Sequence, residues 1–396
     1  MDLASAQAID PAAAPLRVPE MAVRGWVVVL LLLVIVMVAV GGATRLTGSG
    51  LAITEWRPVT GAVPPLSQAA WLAEFEKYRG IPQYELLNRG MGLEAFKTLY
   101  WWEWSHRQLG RLIGLVFFLP LVWFWLKGAV RGRLALTLLG VGALGGLQAA
   151  VGWIMVASGL EPGMTAVAPI RLSLHLTLAS LILAALVWIA TGLDRSLDEG
   201  RRAGDRSANP SPSSQDESGA TLRRGAYLLV GLVLAQIALG GLVAGSRAGL
   251  TYNTWPLMDG RLAPPASTLF SKTPWIENFV DNLALVQFNH RILALVLVGL
   301  ALWHAYAAWR AAPGSAPARR AAALAGLCLA QIGLGIVTLV LAVPLWAGLG
   351  HQLLAMIVLA VAVFHARRCA ADPAFSARFS GSRVKRKDPS ASFRSH

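Results

Sequence analysis

Apolar stretches of nearly bilayer length alternate with polar segments along the whole chain. The apolar runs fall at about 26–43, 108–126, 134–157, 172–192, 226–245, 283–303, 321–343 and 348–365. A helix needs ~20 predominantly apolar residues to cross the hydrocarbon core, so the pattern predicts an all-α membrane protein with eight transmembrane helices. The polar segments differ in kind. Residues 1–24 form a polar, Ala- and Pro-containing lead, and 193–224 mix Asp, Arg, Ser and Pro as a solvated linker does. The segment 44–104 is too long for a simple connection. Its stretches 67–79 and 92–102 have helical composition, and Tyr100, Trp101, Trp102 and Trp104 suit headgroup depth. They predict short interfacial helices that roof a site, with an ordinary aromatic belt as the alternative.

The polar signals occur twice. The first apolar run ends in Gly41-Gly42-Ala43-Thr44-Arg45, followed by Gly48-Ser49-Gly50-Leu51, Trp56 and Pro64-Pro65. The fifth ends in Gly240-Gly241, followed by Gly245-Ser246-Arg247, Gly249-Leu250, Trp255 and Pro264-Pro265. Gln148 and Gly152 are answered by Gln331 and Gly335, and His106 and His175 by His290 and His351. The chain thus reads as two four-helix repeats, 25–192 and 225–366. Each crosses the bilayer an even number of times, so the repeats are parallel and related by an axis along the membrane normal.

Composition agrees, with 55% hydrophobic and 14% charged residues. The formal charge of +14 does not point to nucleic acid, because the basic residues are distributed as a topology signal. Lys127, Arg131 and Arg133 lie in one acid-free loop and Arg310, Arg319 and Arg320 in another. The 367–396 tail adds Arg367, Arg368, Arg378, Arg383, Lys385, Arg386, Lys387 and Arg394. All fall on one side of an eight-helix path, which places both termini in the cytoplasm and the four repeated histidines toward the outer face. The lead carries Asp2, Asp10, Glu20 and a single arginine, Arg17, unlike an Arg-rich, acid-poor transit peptide. A bacterial inner membrane is the expected location. Cys328 and Cys369 lie inside a helix and at the end of the last one, so neither supplies an outer-loop disulfide.

Candidate chemistry concentrates in Glu103-Trp104-Ser105-His106-Arg107 and its echo Gln287-Phe288-Asn289-His290-Arg291. A single histidine in a membrane helix is readily a hydrogen-bonded structural residue. Four at equivalent depths, two per repeat, form a heme-binding pattern, since imidazole is the common axial ligand between facing helices. His304 and His365 follow His290 and His351 by fourteen residues, about 21 Å of helix. This raises a rival, a diheme transmembrane electron carrier. The first repeat has Pro120 and Ile189 at the matching places, so His304 and His365 are expected to be interfacial residues near the cytoplasmic surface.

Glu103 shares a helix face with His106, one turn away, whereas the other repeat has Gln287. An acid takes a proton or stabilises positive charge and an amide does neither. The halves are therefore expected to be alike in binding and unlike in chemistry. A helix-start carboxylate favoured by the dipole is the alternative. Arg107, Arg171 and Arg291 are candidates for pairing with heme propionates, against simple interfacial snorkelling. The glycines of the third helix, Gly140, Gly142, Gly145, Gly146 and Gly152, suit close helix packing or the admission of a porphyrin face.

Together these motifs, with Thr44-Arg45-Leu46-Thr47-Gly48-Ser49-Gly50-Leu51, His175 and Gly350-His351-Gln352, resemble the heme A synthase family of alphaproteobacterial and mitochondrial type over most of residues 25–366. The resemblance implies an oxidoreductase that converts the methyl group of heme O to a formyl group through an alcohol, for cytochrome oxidase biogenesis. It implies that Glu103 is catalytic and that His106 and His175 hold the iron of the substrate heme. His290 and His351 would hold a heme b cofactor that relays electrons. Implied partners are heme O, heme O synthase, cytochrome oxidase assembly factors and membrane lipid, with a homo-oligomer allowed. Some relatives carry cysteine pairs in the outer loops. This chain has none there, so no thiol role transfers.

Overall fold

The computed structural model describes residues 18–202 and 216–370. Among these, eight helices are long and apolar enough to cross a membrane: α1 (Val18–Leu46), α4 (Leu93–Leu126), α5 (Gly132–Gly159), α6 (Pro169–Arg202), α7 (Asp216–Ser246), α10 (Leu283–Ala311), α11 (Ala316–Val340) and α12 (Leu345–Ala370). The short helices α2 (Gln68–Arg79), α3 (Pro82–Leu87), α8 (Ala266–Leu269) and α9 (Asn278–Asp281) lie in the two loops that follow α1 and α7. The starts of several helices are written in side chains. Ser67, Asn282 and Ser315 each accept a backbone N–H three residues on, from Ala70, Leu285 and Ala318, which satisfies one of the free donors of a first helical turn.

Three boundaries differ from the sequence expectation. The stretch 92–102 is not a separate interfacial helix but the first turns of α4, because no helix breaker separates it from the apolar run before Pro120. The 193–224 segment is helical at both ends, since α6 continues to Arg202 and α7 begins at Asp216. The lead likewise ends in helix, at Val18. Most of the basic tail lies outside the described residues.

In each half four helices pack in a ring. α1, α6, α7 and α12 meet at the centre, and α4, α5, α10 and α11 form the outer walls. The main apolar core runs along the central four, with Val27 and Leu30 of α1, Leu183 and Leu186 of α6, Leu229 and Val233 of α7, and Leu359 and Val363 of α12. The central helices are also joined by polar links. Ser173 Oγ donates to Ala238 O at 2.6 Å and Gln352 Nε2 to Val38 O at 2.8 Å. Arg45 Nη2 donates to Ala244 O at 2.9 Å, placing a cation on the carbonyl-rich end of α7. At the opposite end Asp194 pairs with both Arg24, at 3.1 Å, and Arg368. The start of α1 and the later parts of α6 and α12 therefore share one face of the molecule.

Over the first half, α2, α3 and the start of α4 close around Phe75, Tyr78, Ile81, Phe96 and Tyr100 in a second apolar core. Tyr78 accepts a hydrogen bond from Asn88 at 2.6 Å and donates to Gln83 at 3.0 Å. Gln83 in turn donates to Gly48 O and Thr165 O. Burial pushes the Tyr78 phenol above its ordinary pKa, so it stays a hydroxyl that can do both. This loop is a packed cap over one end of the first-half helices.

Candidate functional site

Each repeated histidine lies against a glycine of a neighbouring helix. A Cβ at Gly41 would stand 3.0 Å from His106 Nε2, one at Gly152 2.8 Å from His175 Cε1, one at Gly240 3.2 Å from His290 Cε1, and one at Gly335 2.9 Å from His351 Cε1. Glycine suits these close approaches, because a methyl group would displace the ring, most at Gly152 and Gly335 and by only a few tenths of an ångström at Gly41 and Gly240. Two pairs result, one per half. The rings of His290 and His351 have centroids 6.5 Å apart, and His106 and His175 occupy the equivalent places in the first half.

That separation has a chemical meaning. Two imidazoles on opposite sides of one metal, each with a metal–nitrogen distance of about 2.0 Å, place their ring centres roughly 6.3 Å apart. The inner histidines are closer. His304 and His365 have centroids 5.2 Å apart, and their Nε2 atoms share a direct hydrogen bond of 2.9 Å. No iron fits between nitrogens bonded to each other. Both are also buried, at 2% and 1% exposure. They hold α10 to α12 as a polar pair.

Three of the four outer histidines have a glutamine partner four residues before the glycine. Gln148 Nε2 lies 3.2 Å from His175 Nε2, Gln236 Nε2 3.1 Å from His290 Nδ1, and Gln331 Nε2 3.2 Å from His351 Nδ1. Each amide also donates to the histidine's own carbonyl. The Oε1 atoms of all three glutamines are buried without a partner. The atom facing each ring is the amide nitrogen, a donor, whereas a metal-bound imidazole needs an acceptor at its second nitrogen. The unpartnered Oε1 atoms are the acceptors these side chains have to offer. Among the described residues no group of three or more His, Cys, Asp or Glu side chains could hold a bare metal ion. A porphyrin supplies the equatorial nitrogens itself, so two histidines suffice.

The fourth histidine breaks the pattern. Four residues before Gly41 stands Met37, and among the described residues no side-chain hydrogen bond reaches His106. Sequence reading had marked Gln148 and Gln331 as signs of the repeat. It missed Gln236, Met37, Gly41 and Gly240 as site residues, although the recurring Gln-x-x-x-Gly was a readable signal.

Immediately after His106 and His290 in the chain stands a matched pair of arginine clamps. Arg107 donates to Ile53 O at 2.6 Å and Glu55 O at 2.8 Å, and Arg291 donates to Tyr252 O at 2.7 Å and Thr254 O at 3.1 Å. Glu103, only 2% exposed, accepts from Arg107 Nη2 at 2.6 Å, Arg107 Nε at 3.1 Å and Ile53 N at 2.8 Å. In the second half Gln287 Oε1 accepts from Arg291 at 3.0 Å and its Nε2 donates to Ala248 O at 2.8 Å. Both arginines therefore hold the outer loops, a use that the propionate reading did not anticipate. Arg171 donates to Ile154 O at 3.1 Å. The first site carries a carboxylate with its guanidinium, and the second a guanidinium with an amide.

Comparison with known proteins matches this arrangement. A family model described as "Cytochrome oxidase assembly protein" (COX15-CtaA) covers residues 24–363. The chain belongs to the COX15-CtaA family. Relatives named "Heme A synthase" are similar over nearly their whole length. One from Methylobacterium sp. (strain 4-46) is 64% identical over 349 residues, 88% of this chain and 92% of the relative. Another from Methylorubrum populi is 63% identical over 356 residues, 90% and 89% of the two chains. A more distant one from Brucella anthropi is 49% identical over 345 residues, 87% and 91% of the two. The COX15-CtaA match spans both histidine pairs and both arginine clamps, so each half of the site lies within the shared region.

Proposed function

We propose that this chain is a heme A synthase that oxidises the methyl group of heme O to a formyl group, through the alcohol, for cytochrome oxidase assembly. The observation that carries the reading is the pair of histidine sites, equivalent in backbone and glycine support yet differing at Glu103 and Gln287. In this reading His106 and His175 hold the iron of the substrate heme. His290 and His351 hold a heme b whose chemistry is one-electron transfer.

The chain's own residues do three things in this scheme. The glycines let the imidazoles stand against the helix backbones, and the glutamines orient His175, His290 and His351. Glu103 keeps a negative charge beside the first site. Three of its roughly four acceptor directions are taken by Ile53 and Arg107, so the geometry supports stabilisation of developing positive charge at the ring edge more than proton abstraction. Arg107, Arg171 and Arg291 are the proposed propionate partners, beyond their backbone bonds.

A diheme transmembrane carrier is the reading this displaces, because it needs iron between His304 and His365, which bond to each other. We place the protein in a bacterial inner membrane with both termini cytoplasmic, on the distribution of basic residues. Acid-extracted pigment from cells making this protein together with heme O tests the activity. Heme A is the expected product, and its absence beside unconsumed heme O overturns the proposal.

A further inference from the structure

The outer walls of the two halves are built differently. In the second half α10 and α11 pack along their length, whereas their counterparts α4 and α5 touch at only a few points. Residues explain the difference. Aligning the repeats by their histidine and glutamine positions sets Gly114 opposite Val298 and Gly145 opposite Cys328. Val298 packs against the apolar core and Cys328 is buried within it. A Cβ at Gly114 or Gly145 would meet nothing within 4 Å. Gly145 belongs to the inward stripe of α5, between buried Val141 and the histidine partner Gln148, yet it is exposed. Close helix packing, the first expectation for these glycines, therefore does not account for it.

The gap has bounds. Toward the cytoplasmic end Phe117 of α4 rests on Gly142, where a Cβ would come within 2.9 Å of its ring. Toward the outer end Trp153 of α5 meets Trp56 of the loop at a 6.0 Å centroid distance. Between Gly142 and Trp153 the helix rises roughly 16 Å at 1.5 Å per residue. This interval faces away from the other half, since α1 and α6 make the central contacts. It also leads to Gly152, against which His175 stands, and to the buried, unpartnered His175 Nδ1 and Gln148 Oε1.

We propose that the α4–α5 seam is a lateral doorway through which an amphiphilic tetrapyrrole passes between the bilayer and the His106/His175 site. The inference rests on the reading of that pair as the substrate site. A substrate with a hydrocarbon tail dissolves in lipid, and a seam between wall helices admits it without exposing it to water. The filled α10–α11 seam offers no such passage, which suits a cofactor that stays bound.

The test uses the full chain, with its copurified heme b, in phosphatidylcholine nanodiscs and hemin as the probe. The readout is the rate of the added-heme absorption change that His106→Ala or His175→Ala abolishes. Gly114→Val combined with Gly145→Cys gives the wall the second half's side chains and is expected to slow loading at least tenfold, with heme b content unchanged. Gly140→Val, which adds bulk on α5 away from the inward stripe, is expected to load at the wild-type rate. Loading of the double variant at the wild-type rate overturns the doorway, as does equal slowing by Gly140→Val. Should the added-heme signal survive both histidine substitutions, the substrate-site reading itself fails and the doorway with it. A double variant that lost its heme b would be replaced by Gly145→Ala alone, for which at least threefold slowing is expected and an unchanged rate overturns the proposal.

Discussion

Glu103 and Arg107, one helical turn apart on α4, form a buried ion pair at 2.6 Å that also grips the loop carbonyls of Ile53 and Glu55. The equivalent pair in the other half, Gln287 and Arg291, makes the same grip without the acid. The molecule thus contains its own control for removing the charge. Glu103→Gln is expected to insert normally and keep its heme b, with product falling about a hundredfold, the scale of losing one electrostatic or general-base group. Heme O and heme A quantified by chromatography check this. Conversion near the wild-type rate would reduce Glu103 to a loop anchor.

Arg107→Ala has a different expected outcome. It leaves a buried carboxylate unpaired, and breaking such a pair costs about 3–5 kcal/mol. The loop 47–67 should become sensitive to protease and the protein should melt earlier. Restoring neutrality with Glu103→Gln in the same chain should recover part of the loss. A double variant no more stable than Arg107→Ala would show that the pair is not the source.

The two histidine pairs of α10 and α12 should respond oppositely. His290→Ala or His351→Ala is expected to deplete the copurifying b-type heme, whereas His304→Ala should leave the heme spectrum near wild type. The spacing of ring centroids, 6.5 Å against 5.2 Å, is the basis. Difference spectra of purified variants decide it, and retention of the full low-spin signal in His290→Ala would refute the assignment.

Gln331→Leu should weaken heme b retention by roughly 10–100-fold, the usual effect of removing the partner that orients a metal-bound histidine. The opposite change at the first site, Met37→Gln, supplies His106 with the amide it lacks and should make a heme bound there dissociate more slowly. Dissociation rates measured with a heme scavenger test both, and an unchanged rate in each variant would remove the glutamines from the site.

The helices and the two histidine pairs were legible in the sequence because bilayer length and a duplicated pattern are long, redundant signals. The start of α4 was not, since Leu93–Tyr100 carries the mixed composition of an interfacial segment and continuity depends on the absence of a breaker. The double duty of Arg107 was hidden for another reason. Its acceptors are carbonyls more than fifty residues away, and backbone acceptors leave no mark in side-chain type. The proposed opening between α4 and α5 was half legible: the α5 glycines raised admission of a porphyrin face beside close packing, and glycine is compatible with both.

The four central helices give the molecule a fixed spine with two walls hung upon it. His175 and His351 belong to the spine, which is tied by Ser173 to Ala238, by Gln352 to Val38 and by Asp194 to both Arg24 and Arg368. A wall can therefore swing without changing the spacing of these two histidines. Under the proposed function, an electron path between hemes held on His175 and His351 would keep one length while a wall moved.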